Sequence, residues 1–415
     1  MPHQVALTVV APVRPDAGPA LEAALASASV PFERLSGVHF ARVFTLLADV
    51  AADGSPTSQK LVLMSDVDAP LDRHVGELAE IAGPALDPLF AHCEGYPDTV
   101  DAAARRTFLE RHSLEAGAFY VNTVGRGLDQ VLLEKRLREA IEAELDRRRD
   151  ELAGLDAVAV RERIRRFVEA DPHLRPALRP AASPEQGFRF GEAMHAVLVP
   201  LVLILLLPVV LVLLVIGAVL LRYHETRDVP GDQTADPAHV ERLAELEDHS
   251  IQNPFIAAGP LKPGPFRRTL TTVVLFFASY ATRHVFNNAN LAGVKTIHFA
   301  RWVFLDNKGR VVFASNYDGS VESYMDDFID KVWWGLNAVF SNGVGYPRVR
   351  WLFFGGARDE RAFKRILRFR QEPVQVWYSA YPDMTARNLE NNQRLRAGLS
   401  GEMNEAQAAR WLERL

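Results

Sequence analysis

Two stretches decide how this chain is read: IHFARWVF, Ile297 to Phe304, and VHFARVFT, Val38 to Thr45. One chain carries His-Phe-Ala-Arg twice, and both surroundings alternate in the manner of a strand. Working outward, the match continues. LVLMSDVDAPLDRHVGELAEIAGPALDPLFAHCEGYP, Leu61 to Pro97, aligns with VVFASNYDGSVESYMDDFIDKVWWGLNAVFSNGVGYP, Val311 to Pro347. Both copies hold Ser-x-x-Asp, at Ser65 and Asp68 and at Ser315 and Asp318, and both end in Gly-Tyr-Pro. Phe119-Tyr120 then matches Trp377-Tyr378, and Arg136-Leu137-Arg138 matches Arg394-Leu395-Arg396. Similarity over such a length, with the offset changing only where a loop can absorb it, marks an internal duplication.

Each copy reads as mixed α and β. VALTVVAPV and NPFIAAGPL are first strands, followed by a helix in DAGPALEAALAS and in FRRTLTTVVLFFASYATRHVF. The HFAR strands turn, through Asn307-Lys308-Gly309 in the second copy, into a third strand. An amphipathic helix follows, and RVRWLFFGG, DERAFKRILRFR and VQVWYSAY supply a further strand, helix and strand. This β-α-β-β-α-β order is the ferredoxin-like split βαβ pattern. Helices cover one face of such a sheet, and the other face needs a partner. The sequence therefore predicts an α+β fold of two tandem ferredoxin-like repeats, residues 1–140 and 251–400, with their sheets face to face. Between them lie a helical and Pro-rich linker (141–192), an oily segment (193–222) and a polar linker (223–250). Residues 401–415 form a C-terminal helix.

The oily run, Met194 to Leu221, holds 28 residues without a formal charge. As a straight helix it would be about 42 Å long, against roughly 30 Å of hydrocarbon. Membrane insertion is the expectation, with membrane lipid as the partner. A single crossing would put the two repeats on opposite sides. Pro208 lies near the middle of the run, and proline breaks a helix, so the preferred arrangement is a re-entrant hairpin; the rival is one tilted span. Leu270 to Ala281 is a second oily helix, too short to span, which suits either membrane contact or a core. Phe266-Arg267-Arg268 ahead of it would suit anionic headgroups.

Bulk properties narrow the function little. The chain has 415 residues, 48% of them apolar, and a net charge of -5. No basic field points to nucleic acid. The single cysteine, Cys93, excludes an internal disulfide framework. The soluble parts are expected on the cytoplasmic side, and a homo-oligomer is open. No P-loop, GxGxxG, CxxC, HExxH or GxSxG is present. The arginine runs 147–149 and 161–166 read as solvated helix faces.

Strand alternation puts His298 and Ala300 on one face and Phe299 and Arg301 on the other. His298 is a metal-ligand candidate or a hydrogen-bonded structural histidine. Arg301 could clamp a carboxylate or pair with an acid such as Asp318. Asp318 or Ser320 could cap a helix, and Asp318 could shuttle protons. The second half is rich in asparagine, tyrosine and tryptophan, which places Asn316 and Tyr378 among the candidate cofactor contacts; Trp333, Trp334, Trp377 and Tyr381 read as core or pocket lining.

The doubled split βαβ pattern with HFAR on a central strand resembles the dimeric α+β barrel superfamily. Its tandem members include dye-decolourising peroxidases and chlorite-dismutase-like haem proteins. The peroxidases carry Gly-x-x-Asp-Gly, and Ser315-Asn316-Tyr317-Asp318-Gly319 is the nearest match. The resemblance implies haem bound through His298, Asp318 as distal proton shuttle and Arg301 as charge stabiliser. The implied function is a membrane-associated peroxidase-like oxidoreductase acting on an apolar or lipid-derived substrate. The alternative is a non-catalytic, membrane-bound lipid-binding or scaffold protein of the same fold.

Overall fold

A computed structural model describes residues 3–50, 54–181 and 183–415. The strands are β1 (Gln4–Pro12), β2 (Val38–Leu46), β3 (Lys60–Asp68), β4 (Ala116–Val121), β5 (Gln252–Pro260), β6 (Ile297–Leu305), β7 (Arg310–Asp318), β8 (Val349–Arg350), β9 (Phe354–Gly355) and β10 (Val376–Ser379). Eight of these build two antiparallel sheets, ordered β1-β3-β2-β10 and β4-β6-β7-β5. The fold is mixed α+β. Corresponding ladders share their ends: Gln4 faces Asp68 and Pro12 faces Lys60, while Gln252 faces Asp318 and Pro260 faces Arg310.

The last strand of each half joins the sheet of the other half. β4 lies on β6, with Tyr120 opposite Ala300, and β10 lies on β2, with Tyr378 opposite Ala41. Each bridging strand is also tied to its own half where it begins. Leu114 N–H donates to Thr8 O, and Glu372 N–H donates to Ile256 O. Hydrogen bonding thus passes from one sheet to the other at two seams, which protects edges that would otherwise be bare.

The two sheets meet over Phe44, Leu46, Val62 and Met64 on one side and Ile256, Val303, Leu305 and Val312 on the other. Leu21, Leu78 and Phe90 cover the outer face of the first sheet, and Tyr324, Phe328 and Leu336 that of the second. With both faces covered, β2 is buried along its whole length. Full burial of each large apolar side chain stabilises by about 1.5–3 kcal/mol. The turn between β6 and β7 runs through Asp306, Asn307 and Lys308, at φ 51°, 51° and 61°, and closes at Gly309. Gly95 and Gly345 take φ of 70° and 86°. The tyrosine after each donates to the preceding helix: Tyr96 to Asp87 at 2.5 Å, Tyr346 to Asn337 at 2.8 Å.

Several expectations change. RVRWLFFGG is not a sheet strand. It makes only the two-residue β8–β9 ribbon, because Trp351 and Leu352 take φ of 54° and 64° and turn the chain back. The helix Leu128–Arg147 runs through the boundary expected at 140 and packs on the helix Ala386–Ala397. Arg161 is buried rather than solvated; its guanidinium donates to the carbonyls of Gly398, Ser400 and Gly401.

The oily run forms two helices, Gln186–Leu205 and Leu207–Glu225, both long and apolar enough to cross a membrane by length and composition. They break at Leu206 (φ -91°, ψ 12°), and Pro208 falls in the first turn of the second helix, where its missing N–H costs no bond. Both ends return to a single base helix, Pro265–His284. Near the start, Tyr280 hydroxyl donates to Ala196 O at 2.8 Å, and Arg283 pairs with Glu192. At the other end, the His224 ring stacks on Phe266, and Asp228 receives Arg267 at 2.6 Å. The Glu225 carboxylate accepts the N–H groups of Trp351 and Leu352 at 2.9 and 2.7 Å. The two helices therefore make an arch with both feet on one helix. The base helix turns Thr271, Leu275 and Thr282 inward and leaves Val273, Phe276 and Phe277 exposed.

Candidate functional site

The histidine, arginine and aspartate of each repeat gather in the space between the sheets, whereas the serines face the helices, Ser65 Oγ meeting His74 and Ser315 Oγ meeting Tyr324. The register of β2 slips between Val38 and Phe40, and that of β6 between Ile297 and Phe299. Each slip falls on the histidine of HFAR. A bulge re-aims its residue, so strict alternation fails there: His298 turns to the same region as Phe299. Its ring lies 5.3 Å from that of Phe40, and His39 lies 5.4 Å from Phe299. His39 Nε2 bonds Asp68 at 3.1 Å, and His298 Nε2 bonds Asp318 at 2.7 Å. His39 Nδ1 meets the Tyr381 hydroxyl at 3.0 Å. His298 Nδ1 is buried without a partner among the described residues.

Both aspartates also cap helices. Asp68 accepts Leu128 N–H at 2.8 Å and Asp318 accepts Ala386 N–H at 2.7 Å. Burial pushes the Asp68 carboxyl up. Hydrogen bonding and charge from His39, with Leu128 N–H and Gln4, outweigh that and hold it below its ordinary value. Ser320, not Asp318, caps the helix Val321–Phe340.

Arg301 does not pair with Asp318. It crosses to the other half, where it meets the Asp66 carboxylate, Leu7 O and, at 2.8 Å, Ser65 O. Arg42 makes the reciprocal crossing to Asn316, Ser315 O and Phe255 O. Asn316 in turn donates to Asp66 at 2.8 Å. Burial pushes the Arg42 guanidinium down to about 9; Asp66 opposes this and Arg301 adds to it. Arg301 thus holds the carboxylate directly, and Arg42 is linked to it only through Asn316. Tyr378 stays outside this group, on the helix side of the first sheet, with its ring 5.9 Å from Phe32. Tyr381, one of several aromatic residues in the sequence, emerges as the contact shared by both HFAR histidines.

His298 is not placed to hold haem. The space beside His39, His298, Phe299 and Tyr381 is about 20 Å³. A water fits there, but sites for larger ligands hold roughly 300–1,000 Å³. His298 Nε2 is already engaged, and Asp318 is held by two donors.

A larger cavity, about 680 Å³, lies elsewhere. It sits between the first arch helix, the end of the base helix and the seam where β1 and β4 part. Phe119, Val121, Phe188, Ala193 and Ala196 line it, with Gln4, Arg189, Glu192, Arg283 and His284. His195 Nδ1 meets His284 Nε2 at 2.7 Å beside it. The sequence carries one hint of this cleft: the oily run is preceded by a helical turn holding Arg189 and Glu192. Nothing in the sequence brings that turn to Arg283. No protein-family model, curated protein or solved structure matches this chain.

Proposed function

We propose that this chain is a duplicated split βαβ barrel that docks on one face of a membrane and binds lipid, without haem. The carrying observation is that both feet of the apolar arch stand on one helix of the barrel. A single crossing would separate the halves, yet β4 and β10 are exchanged between them. Both halves therefore belong on one side, and the arch enters the bilayer and returns to that side.

The surface around the arch supports this reading. Ile204, Leu205, Leu213 and Val215 are 61–77% exposed, a cost that hydrocarbon removes. Phe276 and Phe277 on the base helix and Trp351, Phe353 and Phe354 on the ribbon are exposed beside the arch and its foot, and such aromatics suit the interfacial zone. Arg222 and Arg350 lie at the same foot, near Trp351 and Phe354. Replacing Ile204 and Leu213 with lysine should release the protein from phosphatidylcholine vesicles in flotation, with its circular dichroism unchanged. Tags at the two termini should be accessible from the same side of sealed vesicles. Accessibility from opposite sides overturns the proposal.

A further inference from the structure

The cleft beneath the arch has the dimensions and lining of a ligand site that the membrane reading leaves unassigned. Its volume, about 680 Å³, falls among sites for small molecules. It straddles a boundary on both helices that form it. On the first arch helix, Arg189 and Glu192 give way to Ala193 and Ala196, and then to the exposed Val197, Leu198 and Leu201. On the base helix, Arg283 and His284 follow the exposed Phe276 and Phe277. A molecule in the cleft meets charge at one end and lipid-like surface at the other.

The charge has a sign. Glu192 is engaged by Arg283, whose Nε donates at 3.1 Å. Arg189 makes no ion pair among the described residues, and its exposed side chain borders the cleft. Burial lowers His3 and His284 below their ordinary values, more than the nearby acids raise them, so both favour the neutral form. Among the lining residues Arg189 is the cation left over for an anion; Glu185, outside the lining, acts on His3. The inner end is apolar, where Phe119 and Val121 stand at the seam of the barrel.

We infer that this cleft takes a single-chain anionic amphiphile from the leaflet, its headgroup at Arg189 and its chain against Phe119, Val121 and Ala196. This rests on the membrane-docked reading and adds the ligand class to it. A carboxylate or a phosphate monoester headgroup offers the same chemistry to an arginine, so both are tested. The full chain in phosphatidylcholine nanodiscs is photolabelled with a diazirine-bearing fatty acid and, separately, a diazirine-bearing lysophosphatidic acid. Labelled peptides are then mapped.

Label from at least one probe is expected within 183–196 and 279–287, and which probe gives it identifies the headgroup. Ala193→Trp fills the cleft and should cut that label at least about tenfold, a difference of roughly 1.4 kcal/mol, while label on 197–221 stays. Arg189→Gln should reduce cleft labelling to that of an uncharged monoacylglycerol probe. Label confined to 197–221, or cleft label unmoved by Ala193→Trp, overturns the inference while leaving membrane docking intact. Absence of label on 197–221 would instead strike the docking reading.

Discussion

Asn316 is where the two halves part in chemistry. Its counterpart, Asp66, gives Arg301 a carboxylate, whereas Arg42 finds only an amide and carbonyls. Both arginines are buried, 2% exposed each, and a buried charge needs a partner to offset lost hydration. Asn316→Asp would replace the amide that donates to Asp66 with a second carboxylate against the first, and should lower stability by about 1–3 kcal/mol, the cost of leaving a buried polar group without its partner. Asp66→Asn should cost more, about 3–5 kcal/mol, because it leaves the buried Arg301 without its carboxylate. Urea midpoints at pH 7 check both. An Asn316→Asp or an Asp66→Asn as stable as wild type removes the idea that this point needs one amide and one carboxylate. The pairing itself was hidden in the sequence. Arg301 has Asp306 and Asp318 nearby in the chain, and only the face-to-face sheets bring Asp66 to it.

At the scale of elements, each Ser-x-x-Asp joins a bulged strand to the start of a distant helix. The Asp68 carboxyl takes both His39 and Leu128 N–H, and it is held below its ordinary value. A carboxyl depressed on folding contributes stability that is full above its unfolded value, about 3.9, and is lost as pH falls through its folded value. Asp68→Asn should cost about 1–3 kcal/mol at pH 7 and flatten the loss of stability below about pH 4. Urea melts at pH 7, 4 and 3 measure both; an acid limb as steep as wild type would show that Asp68 contributes nothing to it. Strands, turns and helix starts were legible here because their signals are local: HFAR alternates, Asn307-Lys308-Gly309 turns, and Ser320 caps its own helix. RVRWLFFGG misled because its aromatic alternation lies on an exposed ribbon, not a packed sheet. The bulges at His39 and His298 were not legible, since nothing in His-Phe-Ala-Arg itself marks a skipped partner. That one slip decides whether the histidines face inward, so the strands could be read from sequence and the candidate site could not.

For the whole molecule, duplication predicts two sheets but is silent on which sheet receives each last strand. VQVWYSAY alternates equally well beside β5 or β2, and only three-dimensional closure selects β2. The choice has a physical consequence. Without the second half, β6 is not there to receive β4 and Arg42 has no Asn316; without the first, β10 has no β2 and Arg301 no Asp66. Neither half should fold alone. Cutting the chain in the exposed segment between the arch and β5, at Gln233-Thr234, breaks no strand pairing. Residues 1–233 and 234–415 co-expressed should therefore assemble, co-purify through a tag on either piece, and show the circular dichroism of the intact chain. Each piece expressed singly should be aggregated or unfolded. The arch remains in the first piece with both feet on the second, so the assembled pair should still float with vesicles. A soluble, cooperatively melting first piece on its own would mean that its sheet is complete without β10, and the exchange of strands would have to be abandoned.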